Sequence, residues 1–498
     1  MKLKDVLNNI DIIENKGSLE IDITNISSDS RLIKENGLFF AIKGFSLDGT
    51  KFIPKAIENG ATAIIVDETS DINSIPISNN ISIVKVKNIR KVLALSSCNL
   101  YDHPSKKLKL IGVTGTKGKT TSTYMIKSIL EKHGLKVGLI GSISIYIGDK
   151  KLEDTDRTTP ESYKIQETLS LMVKDNVDVA ILEVSSQAMK LDRVTGCDFD
   201  VTLFTNLTED HISPKEHKDM NDYFEAKLSL LKLSPNIVIN VDNDYTSKIP
   251  TLLPEKHCTT FGIKNEADIM ATDLKPSNSS IEFTLLMNDI KEKIKVSIPG
   301  EYMAYNALGA IAVCSYFEVS LDEIKKGLNP FKVFGRSEMV PNKLGLTIMI
   351  DYAHTPSSLE SILKTVKPYT KGRVICTWGV GGDRDSAKRP IMGEISGNLA
   401  DFTILTSDQV RTEDPKKILS DIEVGLKRTN GKYTIILNRT EAIRYAISIA
   451  TKDDIIVLPG LGSDLYIEYM GVKYPYDERV VIHDIIEEMI SDKNNKVS

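Results

Sequence analysis

Apolar positions in this chain fall into two rhythms. Short unbroken runs predict buried strands at 108–113, 177–183, 201–206 and 237–241, and again at 346–351, 373–379, 402–407 and 455–458. Between them the spacing becomes helical: Tyr124, Ile126, Ile129 and Leu130 follow the first run, and 223–231 reads as an amphipathic helix. Strands alternating with helices predict parallel sheets whose ligands gather at the strand carboxyl ends. Before these runs, short strand-like and helical stretches end in a polar, Pro-containing hinge at 101–107. The expected organisation is three α/β domains, 1–104, 105–332 and 333–498, with 493–498 as a frayed tail.

The first long apolar run enters Gly115-Thr116-Lys117-Gly118-Lys119-Thr120-Thr121. A strand, a glycine-rich turn and a helix start form a phosphate-binding loop. Backbone N–H groups and the helix N-terminus attract an anion, Lys119 reaches the outer phosphates, and the Thr120 hydroxyl can hold Mg²⁺. Val113 stands where the standard loop has its first glycine. The central domain is thus expected to bind a nucleotide on a mainly parallel sheet.

Other candidates stand at strand ends. Glu183 closes the second run and can serve a metal beside Thr120. His211 follows the third run and suits a metal or a phosphate. Lys227, read from periodicity alone, is a solvated surface lysine on the 223–231 helix. In the last domain, polar loops 351–356, 381–385, 407–411 and 459–464 follow successive strands and suggest one binding crevice.

Composition narrows the classes. The 498 residues hold 41% hydrophobic and 26% charged positions, enough for several full cores. A net charge of −5 argues against nonspecific nucleic-acid binding. No run approaches the ~18 apolar residues of a membrane span, and no secretory signal opens the chain. Five dispersed cysteines without a CxxC pair suit reduced thiols, so a cytoplasmic protein is expected.

These motifs occur in a familiar order together with Thr158-Thr159-Pro160-Glu161, Glu183-Val184-Ser185-Ser186, Glu225-Ala226-Lys227, Asp351-Tyr352-Ala353-His354 and Gly382-Asp383-Arg384-Asp385. The chain resembles the Mur ligases of peptidoglycan synthesis over nearly its whole length, and most of all their tripeptide synthetases. The resemblance implies a UDP-substrate domain, a central ATPase and a C-terminal Rossmann-like domain for an incoming amino acid. It implies ATP and Mg²⁺ as cofactors, a UDP-MurNAc-dipeptide and a free diamino acid as partners, and a monomer. The D-Glu carboxylate of UDP-MurNAc-L-Ala-D-Glu would be activated as an acyl phosphate and then take the amine. Lys119, Glu183, His211 and Lys227 match the catalytic set, with Thr120, Glu183, His211 and a carbamate on Lys227 serving metals. That assignment reverses the surface reading of Lys227. Gly115, Thr116, Gly118, Lys119, Thr120, Thr121, Asn306, Arg336, Asp351 and His354 match ATP positions. Ser30, Arg31, Thr158, Thr159, Ser185 and Arg193 match positions around the UDP-substrate.

The amino-acid pocket departs from the family pattern. Asp408-Gln409-Val410-Arg411 stands where Asp-Asn-Pro-Arg is usual with meso-diaminopimelate, and Gly460-Leu461-Gly462-Ser463-Asp464 where Gly-Lys-Gly-His-Glu is usual. Arg411 suits bidentate capture of a distal carboxylate, which lysine lacks, so meso-diaminopimelate is favoured over L-lysine. Arg384 remains for an α-carboxylate and Asp464 for an ammonium. The alternatives are a Mur-like paralogue with another acceptor or amino acid, a folylpolyglutamate synthase, a P-loop binding protein and a silent scaffold. The 29–31 segment speaks against the folate enzyme, the missing Asn-Lys-x-Asp motif and the otherwise unexplained polar loops of the last domain against the P-loop binding protein, and the retained Lys119, Glu183, His211 and Lys227 against the scaffold.

Overall fold

The structure is a computed structural model that describes residues 1–44, 47–71, 80–155, 157–210, 212–213, 216–277 and 279–497, the side chains of 493–497 excepted. The chain divides into two compact units: Met1–Met270 with Leu308–Ile324, and Ala271–Ala307 with Lys325–Ser498. Its mixed α/β architecture with mostly parallel sheets agrees with the expected fold class.

The first unit opens with strands β1 (Ile12–Lys16), β2 (Asn25–Ser27), β3 (Gly37–Phe40), β4 (Ala61–Asp67) and β5 (Ser82–Val86). They form a sheet in the order β1-β5-β4-β3-β2, antiparallel at β1 and parallel elsewhere. Successive side chains of a strand point to opposite faces. Leu38, Phe40, Ala63, Ile65 and Val84 accordingly build one core with Val92 and Leu93 of the helix Ile89–Leu100. Phe39, Ala41, Ile64, Val66 and Ile83 build the other.

The same unit continues through β6 (Lys109–Thr114), β7 (Val137–Ile140), β8 (Ser144–Ile147), β9 (Lys150–Asp154), β10 (Val179–Glu183), β11 (Val201–Phe204), β12 (Asn236–Asn240), β13 (His257–Gly262) and the start of β14 (Ile269–Pro276). Their order is β13-β12-β11-β6-β10-β7-β8-β9, parallel from β13 to β7. β10 and β11 are buried at every position, as expected of parallel strands covered on both faces. In register, Glu183 sits opposite Val113 and Phe204 opposite Thr114. The ends of β10 and β11 therefore flank the exit of β6, where the glycine-rich loop begins.

The second unit holds the hairpin β15 (Ile281–Met287) and β16 (Ile290–Val296), then β17 (Glu338–Met339), β18 (Thr347–Asp351), β19 (Val374–Trp378), β20 (Phe402–Leu405), β21 (Tyr433–Ile435), β22 (Ile455–Pro459) and the hairpin β23 (Tyr466–Tyr469) and β24 (Val472–Pro475). The sheet β17-β18-β22-β19-β20-β21 is parallel except at β17. Met349, Val374, Cys376, Trp378 and Val457 face one core, and Ile348, Ile350, Ile375, Ile456 and Leu458 the other. The last helix, Glu478–Val497, carries on through residues expected to fray. Among the described residues no helix is long and apolar enough to cross a membrane. All five cysteines are free thiols.

Candidate active site

The loop after β6 is anchored by its neighbours. Gly115 adopts φ +142°, and a Cβ there would fall 1.9 Å from the Thr205 hydroxyl, so no side chain fits. Asn206, just past β11, holds the loop in both directions: its Oδ1 accepts from Lys117 N at 3.0 Å and its Nδ2 donates to Lys117 O at 3.0 Å. The Thr205 hydroxyl adds a bond to Lys117 O at 2.7 Å, and Thr116 shares a 3.2 Å hydroxyl contact with Tyr223. The helix Lys119–Lys132 starts directly from this loop.

Two ammonium groups converge here. Lys119 Nζ donates to the carbonyls of Gly115 at 2.9 Å and Thr116 at 3.1 Å. Lys227 Nζ donates to the same Gly115 carbonyl at 2.8 Å and lies 4.6 Å from the centre of the Tyr223 ring. Lys227 is only 2% exposed, which corrects the solvated reading taken from periodicity. The helix Met220–Leu231 buries Tyr223, Phe224, Leu228 and Leu231 as well as Lys227, so its covered arc is wider than an amphipathic stripe. Burial first, and the nearby Lys119 charge second, hold the Lys227 ammonium well below the ordinary lysine range, against an opposing pull from Asp210.

Beside the loop, Thr120 Oγ1 donates to Glu183 Oε2 at 3.0 Å. Glu183 is fully buried and also accepts from Ser142 N at 3.1 Å and Ser142 Oγ at 3.0 Å. A hydroxyl and a carboxylate at hydrogen-bond distance are the hard oxygen donors that Mg²⁺ prefers, so this pair fits that ion. Ser142, just past β7, escaped sequence reading because a lone serine in a turn carries no signal. His211 lies outside the described residues. Among the described residues no group of three or more His, Cys, Asp and Glu forms a metal cage.

The UDP-substrate candidates in the central sheet form one network with Glu183. The Ser142 and Thr158 hydroxyls lie 3.1 Å apart, Thr159 Oγ1 donates to the Glu183 carbonyl at 2.8 Å, and Ser185 N donates to Thr159 Oγ1 at 3.0 Å. Arg193 Nη1 donates to the Thr159 carbonyl at 3.0 Å, and its Nη2 meets Glu161 at 2.9 Å. Glu161 also pairs with Arg157 at 2.9 Å and faces Arg90 at 4.0 Å, giving a cluster with surplus positive charge. In the N-terminal sheet region, the exposed Arg31 folds back on Asp29 at 2.6 Å, and the Ser30 carbonyl accepts from Asn59 at 2.8 Å.

In the second unit, the Arg336 guanidinium lies 4.5 Å from the Tyr352 ring centre, and the His354 ring meets Tyr352 edge-on at 4.7 Å. Asp351 Oδ2 accepts from Ser337 N at 2.7 Å. Enclosure pushes the Asp351 carboxyl up, against the pull of Arg336. Tyr302, one helical turn before the buried Asn306, bonds Ser337 at 2.8 Å. Arg336, Asp351 and His354 thus share one neighbourhood, to which Tyr302, on the helix that carries Asn306, is tied through Ser337.

The amino-acid candidates gather as well. Gln409 Nε2 donates to Asp464 Oδ2 at 3.2 Å and to the Tyr466 carbonyl at 2.9 Å, while its Oε1 accepts from Glu468 N at 2.7 Å. The residue standing in place of Asn thereby fastens the loop at 408–411 to the β23–β24 hairpin. Arg411 Nη1 donates to the Gly382 carbonyl at 2.6 Å, and its Nε lies 3.9 Å from Glu468. Burial raises the Asp464 carboxyl. Gly460 adjoins Asp408, whereas Arg384 stands exposed on the loop after β19. Glu468 was not foreseen, since a lone Glu in a hairpin carries no signal.

Three family models match the chain in order: Mur ligase family, catalytic domain over residues 22–98; Mur ligase middle domain over 113–314; and Mur ligase, glutamate ligase domain over 335–462. A UDP-N-acetylmuramoyl-L-alanyl-D-glutamate--2,6-diaminopimelate ligase of Clostridium tetani is 48% identical over 98% of this chain and 100% of its own. One of Clostridium acetobutylicum is 44% identical over 98% and 100%. A solved structure of a ligase with that same description has a TM-score of 0.70 and 26% identity, covering 98% of this chain and 99% of its own. A MurF ligase of Thermotoga maritima in complex with ADP shares the fold, with a TM-score of 0.57 and 18% identity over 95% and 98%. On its matched domains and its full-length relatives, the chain belongs to the Mur ligase family.

Proposed function

We propose that this protein is the ATP-dependent ligase that joins 2,6-diaminopimelate to the D-Glu carboxylate of UDP-MurNAc-L-Ala-D-Glu in peptidoglycan precursor synthesis. The observation that carries the reading is the convergence of Lys119 and Lys227 on the Gly115 carbonyl, in a loop whose next helix pairs Thr120 with Glu183. Full-length relatives described as 2,6-diaminopimelate ligases support the substrate pair.

The chemistry begins with a carboxylate oxygen attacking the γ-phosphorus of ATP, and ADP leaves. The product acyl phosphate has a leaving group that the free carboxylate lacks. The neutral amine then attacks the acyl carbon, inorganic phosphate departs with the C–O electron pair, and the amine loses a proton. Two anions must meet in the first step, so positive charge has to offset their repulsion. Lys119 supplies it at the outer phosphates. Thr120 and Glu183 would hold Mg²⁺, which supplies charge neutralisation to the phosphates when bound. Lys227, whose burial favours the neutral amine more than in an ordinary lysine, is poised to react with CO₂ as the family resemblance implies, and the carbamate puts oxygen ligands where the amine stood. Thr158, Thr159, Ser185 and Arg193 orient the muramoyl peptide, and Ser30 and Arg31 its UDP end. Asn306, Arg336, Asp351 and His354 serve the nucleotide. Arg411 meets the distal carboxylate, Asp464 an ammonium and Arg384 the α-carboxylate.

A substrate with ¹⁸O in the D-Glu side-chain carboxylate tests this mechanism. Turnover should deliver one ¹⁸O into each inorganic phosphate released. Unlabelled phosphate would rule out the acyl phosphate.

A further inference from the structure

Arg439 is buried at 3% exposure and opens the helix Arg439–Ile449. Its Nε donates to Glu478 Oε1 at 2.8 Å, and its Nη2 donates to the Pro459 carbonyl at 3.2 Å. Its Nη1 has no hydrogen-bond partner among the described residues and lies 3.9 Å from Asp408 Oδ2. Glu478 and Asp408 are themselves buried, at 1% and 8% exposure, and Glu478 Oε2 is also unpartnered among the described residues. Gly460, which follows Pro459 at φ +124°, leaves room for this arrangement: a Cβ there would fall 2.1 Å from Asp408 Oδ2.

Among the groups in direct contact the charges do not balance: one guanidinium serves two buried carboxylates, and its hydrogen bond to a side chain goes to Glu478, while Arg479 acts on Glu478 and Lys388 on Asp408 through space. Among the described residues Asp408 has the longer contact through Nη1 and a 2.6 Å bond from Gln409 N. A buried carboxylate with a partial counterion favours a cation brought to its free side. Neither Arg439 nor Glu478 stands near a recognisable motif, since the three groups come from separate segments at 408, 439 and 478.

We propose that Arg439 is a positioning residue for amino-acid recognition: shared between Glu478 and Asp408, it fixes the Asp408 carboxylate while leaving that cluster short of one positive charge, which an ammonium group of the incoming amino acid supplies. This rests on the proposed ligase function and on Asp408, a neighbour of Asp464 in the loop matched to the amino-acid pocket, contacting the amino acid.

The test is steady-state kinetics of the full chain with each substrate varied in turn. Arg439→Met with Glu478→Met removes the hydrogen-bonded pair together and leaves Asp408 held by Gln409 N, so a thermal melt checks folding before the kinetics are read. Its KM for diaminopimelate should rise about tenfold or more, while the KM values for ATP and the UDP-dipeptide stay within about twofold. Arg439→Lys, which keeps the charge but loses the planar fork, should raise the amino-acid KM alone by a smaller factor. An unchanged amino-acid KM in a folded variant would overturn the proposal. So would a parallel rise in all three KM values with a lowered melting temperature, which marks a purely structural role. Should the double variant fail to fold, Arg439→Lys decides by the same criterion. A wild-type protein that turns over no amino acid would instead remove the ligase reading on which the proposal stands.

Discussion

Lys119 and Lys227 donate to one oxygen, the Gly115 carbonyl, at 2.9 and 2.8 Å. The Lys119 charge beside this shared acceptor disfavours a second charge on the buried Lys227. Lys119 heads the helix and reaches the outer phosphates in the proposed mechanism. Lys119→Ala should therefore reduce ATP-dependent phosphate release by about 10²–10³-fold or more, the scale of a lost transition-state cation. Near-normal turnover in that variant would remove the loop from catalysis.

Lys227 is buried at a cost. Its folded-state pKa lies well below 10.5, so between the two values the unfolded chain holds a proton that the folded chain does not. Stability should accordingly rise with pH across that window. Lys227→Met removes the burdened group and should match or exceed wild-type stability at pH 7, with the gap closing towards pH 10. Thermal melts in CO₂-free buffer at several pH values check this. A variant less stable than wild type at every pH would contradict it. Activity should fall severely in Lys227→Ala and return in part with added short-chain carboxylates, if a carbamate is the working group. Wild-type kinetics would take Lys227 out of the mechanism.

Glu183 accepts three hydrogen bonds, from Thr120 and twice from Ser142. Glu183→Gln replaces one acceptor oxygen with a donor and removes the charge that would hold a divalent ion. The expected result is a loss of about 10²-fold in turnover and a higher Mg²⁺ requirement. A magnesium titration of phosphate release reads both, and an unchanged Mg²⁺ dependence would count against the metal assignment.

Arg411 tests the amino-acid pocket. Its guanidinium is held by the Gly382 carbonyl and faces Glu468, so it is placed before a substrate carboxylate arrives. Arg411→Ala should lower kcat/KM for diaminopimelate by about 10–100-fold and leave any lysine activity nearly unchanged. Equal losses for both amino acids would remove Arg411 from side-chain selection.

Much of this fold could be read from the chain because its strands are buried on both faces. The runs at 177–183 and 201–206 emerge as Val179–Glu183 and Val201–Phe204, within two residues at each end. The strand order could not be read. β10 inserts between β6 and β7, and that crossover brings Glu183 to Thr120. Lys227 was misread because periodicity gives a helix one covered face, whereas this helix is packed on more than one side. Ser142, Arg439, Glu478 and Glu468 were silent for a common reason. Each acts through a partner far away in sequence, and a long-range pairing of single polar residues leaves no local pattern.

The most direct test of the account is phosphate release by the purified protein given ATP, Mg²⁺ and UDP-MurNAc-L-Ala-D-Glu, with meso-diaminopimelate, L-lysine or L-ornithine as the amino acid. Turnover should require all components and be fastest with meso-diaminopimelate. Faster turnover with L-lysine or L-ornithine, or none with any of the three while ATP still binds, would contradict it.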